Sequence, residues 1–239
     1  MVMFNKSARL YDAIYLNMGK DYAAEALKIH VFNQKHKQTF GNLLLDVACG
    51  TGLHIGSLHE YYDVEGLDID ENMLEVAREK YPKIPFHHAD MVDFNLGLQF
   101  DTITCLFSSI GYTKTIPRLN KALGNMARHL KPGGVVLIEP WFSPEDWKTG
   151  IIHATYVNQP DLKIARINLS ERKETLSFFT FHYLVGKPTG VEHFTELHEL
   201  GLFTENEYLD AFRAAGLEVV HDLEGLVGRG LYIGIKRKP

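Results

Sequence analysis

Between residues 43 and 139 the chain repeats one pattern: a short run of strand-forming residues, a turn, then a segment with helical spacing. The pattern predicts strands at 43–47, 63–67, 84–87, 101–106 and 134–139, and helices at 53–60, 71–80 and 115–130. Strands separated by helices cannot pair as tight hairpins. They pair in parallel, with right-handed crossovers that lay the helices on both faces of one sheet. Asp70 is placed to cap the helix at 71, and "KPGG" at 131–134 is expected to stop the helix before it.

The flanks complete this plan. Residues 8–38 read as two helices interrupted by "NMGKDY" at 17–22. From about 153 to 202 the texture becomes extended, with segments such as "LSFFTFHYLVG" and turns at "QPD" and "GKPTG". A helix at 205–215 and the strands "LEVVHDL" and "GLYIGIKR" return to the main pattern, the last two, joined by a tight turn, as an antiparallel hairpin at the sheet edge. The expected fold is α/β: a Rossmann-like, seven-stranded, mostly parallel sheet with an antiparallel strand cover inserted after the fifth strand. Its expected division is an N-terminal helical cap (1–40), a ligand-binding core (41–150), the cover (151–202) and a C-terminal helix and strands completing the sheet (203–239).

In such a sheet, ligands bind beyond the carboxyl ends of the strands. There the first strand runs into "DVACGTG", where Gly50 and Gly52 remove side-chain bulk and let a ligand approach the backbone. The turn lacks the GxGxxG spacing of a dinucleotide site and the Gly-Lys-Ser/Thr of a phosphate loop. The strand also ends in Asp46, an anion that would repel a pyrophosphate and favour a cation. Asp68 closes the second strand, where a carboxylate can accept both ribose hydroxyls, and Asp90 closes the third, placed for an adenine amino group. A nucleoside with a sulfonium and amino-acid end satisfies all three, and S-adenosylmethionine (SAM) is such a molecule.

Charge and composition narrow the alternatives. A net charge of −5 argues against a general nucleic-acid binder. Two cysteines form no disulfide framework, twelve histidines form no metal-ligand spacing, and no apolar run approaches a membrane span. The opening residues lack the apolar core of a signal peptide, so a cytoplasmic location is expected, with no metal and no membrane partner.

"LLLDVACGTG", "EGLDID", "HHADMVDF", "FDTITCLFSSIGY" and "LKPGGVVLIEPW" resemble, in order, the successive motifs of class I SAM-dependent methyltransferases over roughly residues 40–142. A narrower resemblance spans almost the whole chain. "YDAIYLNMGKDYAAEA", "LDVACGTGLH", "LFSSIGY", "EPWF", "HFTELH" and "GRGLYIG" are similar to the N,N-dimethyltransferases of nucleotide-linked aminosugars, which make sugars such as desosamine and mycaminose. The resemblance implies a nucleotide-linked aminosugar substrate, methylated twice in succession, and a homodimer. Two other functions stay open: methylation of another small amine or hydroxylated metabolite, and a non-catalytic SAM- or nucleotide-binding regulator.

Geometry and resemblance together assign Asp46, Ala48, Gly50, Gly52, Asp68, Asp90 and Met91 to the cofactor. Leu106, at the end of the fourth strand, is expected to wall its methionine portion, and the resemblance adds Tyr11 and Tyr22 as covering residues. Tyr112 is the candidate catalytic residue, facing the methyl or orienting the amine. The segment around it lacks the Asn-Pro-Pro-Tyr-type signature of enzymes that methylate adenine in nucleic acids. Glu139 and Trp141 follow the fifth strand and are expected at the substrate rim. Arg166 and His182 come from the cover and Arg229 from a glycine-flanked loop. An isolated histidine such as His182, His193 or His198 is as readily a structural residue. Arg229 is the leading candidate to grip a diphosphate, with Arg166 second.

Overall fold

The computed structural model describes residue 4 and residues 6–238. Two helices open it, α1 (Ala8–Asn17) and α2 (Tyr22–His36). Asp21 caps α2 by accepting the Ala24 N–H, and Lys35 and His36 close it where the helix dipole is negative. The alternating unit follows: β1 (Leu43–Val47), α3 (Leu53–Leu58), β2 (Asp63–Asp68), α4 (Glu71–Lys80), β3 (Phe86–His88) and β4 (Phe100–Cys105). A 3-10 turn (Ser109–Thr113) leads into α5 (Ile116–Arg128) and β5 (Leu130–Ile138). Five strands come next: β6 (Ile152–Gln159), β7 (Leu162–Leu169), β8 (Glu171–Lys173), β9 (Leu176–Lys187) and β10 (Gly190–Gly201). The described chain ends with α6 (Glu205–Ala214), β11 (Leu217–Asp222) and β12 (Leu231–Lys236).

The main sheet has seven strands in the order β11-β12-β5-β4-β1-β2-β3. Only β12 runs against its neighbours. Chain order reverses between β1 and β4, which opens a crevice at their carboxyl ends. Strand parity sorts the core. Leu45 and Val47 face α5 and α6 with Leu123 and Phe212, whereas Leu44 faces the opposite layer with Ile29, Ile55 and Leu74.

The second sheet is antiparallel, in the order β10-β9-β7-β6 with β8 beside β9. Its inner face presents Val157, Ile164, Tyr183 and Val185 to Leu10 and Ile14 of α1. The first helix is thereby clamped over the open end of the main sheet, and a chamber forms between them. Among the described residues no helix is long and apolar enough to cross a membrane.

Two local expectations are corrected. Residues 131–134 do not stop a helix: α5 ends at Arg128 with His129 as its cap, and these residues lie inside β5. Pro132 is tolerated there because the β4–β5 register shifts between Phe100 and Thr102, so the ladder is interrupted where the proline N–H is missing. The β11–β12 connection is no tight turn but a loop of residues 223–230, pinched where Gly225 bridges Gly230. A Cβ on Gly225 would lie 2.4 Å from the Gly230 backbone, so only glycine permits the pinch that swings Arg229 back toward the chamber.

Candidate active site

The chamber is a cavity of about 760 Å³ bounded by α1, the β1–α3 turn, the end of β2, the 3-10 turn, the β5–β6 connection and the inner face of the second sheet. A smaller recess adjoins it, sharing Ala48, Asp68, Ile69, Met91 and Tyr112 and adding Asp90 and Arg118.

One wall is the glycine turn. Ala48 and Gly50 have φ of 58° and 55°, a left-handed path that turns the backbone away from the strand. A Cβ on Gly50 would meet no atom within 4 Å. It would project into open space, so the glycine keeps a volume free that any side chain would fill. Beneath it Asp68 is almost fully buried and accepts the Gly50 N–H and the Asp70 N–H, both at 2.8 Å. Burial raises its carboxyl to about 6, against the lowering effect of those amides. Asp90 lines the adjoining recess, held by the Val92 N–H and an ion pair to Arg118 at 2.9 Å.

The opposite wall is aromatic. Tyr112, from the 3-10 turn, places its hydroxyl 2.7 Å from Nδ1 of His198 on β10. The His198 ring stacks on Phe179 with ring centres 5.5 Å apart, and Phe4 and Phe181 flank it at 5.1 Å. Burial, with the Arg166 charge adding to it, lowers His198 to about 4, while burial raises Tyr112 well above its ordinary value. At neutral pH both are uncharged.

Several candidate residues line the cavities: Tyr11, Ala48, Gly50, Asp68, Asp90, Met91, Tyr112, Trp141, Arg166 and Arg229. The others lie behind the walls. Gly52 has φ 77° at the start of α3 and packs against Tyr81, so its role is to admit the helix rather than to touch a ligand. Tyr22 and Leu106 are buried in packing, Tyr22 against His54 and Leu106 in the core. Asp46 is buried beneath the turn and accepts the Thr104 hydroxyl at 2.8 Å, its second oxygen unpartnered among the described residues. Burial raises its carboxyl to about 6.

Two substrate-rim candidates are misplaced by sequence reasoning. His182 is exposed on the outer face of the second sheet and stacks on His193. Strand parity is the reason, since Phe181 and Tyr183 on either side take the cavity face. Glu139 is 0% exposed and off the cavity wall. It accepts the Phe107 N–H at 2.6 Å and Arg229 at 2.7 Å. Phe107 and Ser108 both have positive φ, 51° and 63°, so this carboxylate pins a strained turn that carries the ring of Phe107 to the cavity.

The residues missed from the sequence are chiefly Phe4, Tyr15, Met18, Phe107, Phe179 and Phe181. The aromatics at 179, 181 and 183 repeat every second residue, a signal of one shared strand face.

The observed cradle fits SAM. The free volume over Gly50 takes a nucleoside close to the backbone, Asp68 and Asp90 present acceptors, and the unpartnered Asp46 oxygen lies beneath the turn as a counter-charge.

The comparisons with known proteins agree. Residues 44–134 match the family model described as "Methyltransferase domain". A Streptomyces venezuelae dTDP-3-amino-3,4,6-trideoxy-alpha-D-glucopyranose N,N-dimethyltransferase is 42% identical over 230 residues, 95% of this chain and 97% of its own. The crystal structure of Streptomyces venezuelae DesVI matches with a TM-score of 0.91 at 40% identity, covering 96% of this chain and 98% of that one. SAM-bound CalS10, an amino pentose methyltransferase from Micromonospora echinaspora, matches with a TM-score of 0.85 at 34% identity, covering 95% and 96%. At this end-to-end likeness the chain belongs to the SAM-dependent methyltransferases, in the family of the nucleotide-aminosugar N,N-dimethyltransferases.

Proposed function

We propose that this enzyme methylates the amino group of a nucleotide-linked aminosugar, twice in succession. The observation that carries the proposal is the single continuous chamber, with a nucleoside cradle on one wall and an aromatic and cationic wall facing it. Its volume is of the size that encloses small-molecule ligands. The substrates named for the full-length relatives support the same choice.

In this proposal Asp68 accepts the ribose hydroxyls, Asp90 the adenine amino group, and Ala48 and Gly50 let the cofactor lie against the backbone. Met91 flanks the adenine and Tyr11 covers the cofactor from α1. SAM supplies a methyl carbon activated by its sulfonium. The protein's task is to bring a neutral amine to about 3 Å from that carbon, in line with the sulfur. Phe107, Phe179 and Phe181 wall the chamber, and the amine reacts there in its neutral form with its lone pair free. The hydroxyl of Tyr112, steadied by His198, accepts an amine N–H and turns that lone pair toward the methyl. Neither residue takes up a proton near neutrality, so the methylammonium formed in the first transfer gives its proton to water before the second, and alignment rather than base strength carries the rate.

The same proposal includes a homodimer and a cytoplasmic location. The outer face of the second sheet exposes Ile167, Leu184 and Leu197 among His182, His193 and Thr195, a mixed surface that this proposal gives to a second copy. Both cysteines are free and buried, in keeping with a reducing compartment.

The test is transfer of label from radioactive SAM to a dTDP-linked aminosugar, to the same sugar without its nucleotide, and to simple amines. Strong preference for the nucleotide-linked sugar, with a dimethylated product by mass, supports the proposal. Equal turnover on unlinked amines overturns the substrate class and leaves a methyltransferase of other small amines.

A further inference from the structure

An amine that has gained two methyl groups still carries a lone pair, so nucleophilicity alone does not end the series at two. Tyr112 lines both the chamber and the adjoining recess, which puts its hydroxyl where cofactor and substrate meet. Nδ1 of His198 lies 2.7 Å from that hydroxyl. Either Tyr112 gives its proton to Nδ1, or a protonated Nδ1 donates to the phenol oxygen.

The surroundings select the first arrangement. At 2.7 Å the contact has the usual length of a bond given by an O–H, about 2.7–2.8 Å, rather than by an N–H, about 2.9–3.0 Å. Burial keeps the imidazole neutral, with one N–H to place. Its other nitrogen, Nε2, is buried and has no hydrogen-bond partner among the described residues. Phenylalanine rings surround it instead: Phe179 stacked on the imidazole, Phe4 and Phe181 inclined to it at 5.1 Å. Ring faces are negative, so they accept an N–H and repel a lone pair. The imidazole proton therefore belongs on Nε2, and Nδ1 takes the proton that Tyr112 offers.

With its proton committed to His198, the Tyr112 oxygen faces the chamber as an acceptor only. A neutral primary amine and a neutral methylamine each give it an N–H and keep the lone pair free. A neutral dimethylamine has the lone pair but no N–H. We infer that the Tyr112–His198 pair limits the enzyme to two methyl transfers, by requiring an N–H on the nitrogen that it aligns. Tyr112 sets this specificity, and His198 is the positioning residue that keeps the phenol oxygen an acceptor. Each transfer forms a C–N bond from the lone pair and breaks the S–C bond, whose electrons go to sulfur; the ammonium then gives a proton to water. The inference rests on the proposed double methylation of a nucleotide-linked aminosugar.

Calorimetry on enzyme saturated with S-adenosylhomocysteine tests it, with dTDP-linked sugars bearing an amino, methylamino or dimethylamino group. The titrations are run at about pH 9, above the pKa near 8 of an α-amino-type amine, so that the neutral forms are compared. Wild type should bind the dimethylamino sugar roughly 2- to 13-fold more weakly than the methylamino sugar, the range for one neutral hydrogen bond. Tyr112→Phe should bind the two alike. His198→Leu frees the Tyr112 proton to bond the tertiary lone pair, so it should also lose the preference, and should lower kcat on the methylamino sugar with little change in KM. His198→Asn, whose Oδ1 can accept that proton in place of Nδ1, should restore both. Wild-type affinity for S-adenosylhomocysteine in each variant reports that it folds. In histidine-labelled wild type, 15N spectra should show Nδ1 of His198 unprotonated. A preference kept in Tyr112→Phe, or absent from wild type, overturns the inference. So does a protonated Nδ1, or a His198→Asn variant no better than His198→Leu, which marks packing alone. If wild type transfers only one methyl, or none to a nucleotide-linked sugar, the proposed function falls and the inference with it.

Discussion

Replacing Glu139 with glutamine isolates one buried carboxylate that does two jobs. Its oxygens accept the Phe107 N–H at 2.6 Å and Arg229 at 2.7 Å, and the side chain is completely buried. Glutamine keeps the volume but offers one oxygen; its amide nitrogen must then face either the Phe107 N–H or the guanidinium, donor against donor. One charge-assisted hydrogen bond is lost, about 1.5–3 kcal/mol. The full cost of orphaning a buried charge, about 3–5 kcal/mol, does not apply, because the Arg229 side chain is 23% exposed and can turn into the chamber. Loosening of the left-handed turn at Phe107 and Ser108 adds to the loss. Together these give about 2–4 kcal/mol of destabilisation, or a fall of about 5–15 °C in Tm for a chain of this size. Thermal unfolding followed by circular dichroism, with a urea titration as the equilibrium check, measures it. Glu139→Gln should also bind dTDP at least as tightly as wild type, since Arg229 is released from its partner. A Tm within about 2 °C of wild type, or a large loss of dTDP affinity with the fold intact, refutes the assignment of Glu139 as the clamp.

Asp68→Ala should weaken SAM binding by about 1.5–3 kcal/mol through loss of the ribose acceptors, read by calorimetry. Because burial raises the Asp68 and Asp46 carboxyls each to about 6, SAM affinity in wild type should fall as pH drops below that value, and the variant should lose the part due to Asp68 while keeping the part due to Asp46. The stability sign is opposite: a raised carboxyl binds its proton more tightly folded than unfolded, so its contribution is greatest at low pH and is lost as pH rises through about 6. Tyr112→Phe should lower kcat while leaving SAM affinity nearly intact; wild-type turnover would reduce the residue to packing. Leu184→Lys, on the exposed outer face, should convert a dimer to a monomer by light scattering without unfolding it, and a wild type that is monomeric and fully active removes the dimer from the proposal.

The order of elements was legible in the sequence because it depends on local signals. Runs such as "LLLDV", caps such as Asp70 and turns such as "ACGTG" act over a few residues, and strand–helix alternation leaves the parallel sheet as the solution. The acids at strand ends were legible for the same reason: the topology carries every such end to one edge. What the sequence left open was which side chains meet across long separations. Tyr112 and His198 lie 86 residues apart, and Arg229 and Glu139 lie 90 apart. The one-residue parity that sends Phe181 inward and His182 outward is fixed only by the pairing of β7, β9 and β10. Burial decided the rest. In the sequence Arg229 looks free and Arg166 looks ordinary. The fold supplies a carboxylate to the first and surrounds the second with rings, because charge compensation depends on tertiary neighbours, which chain order does not encode locally.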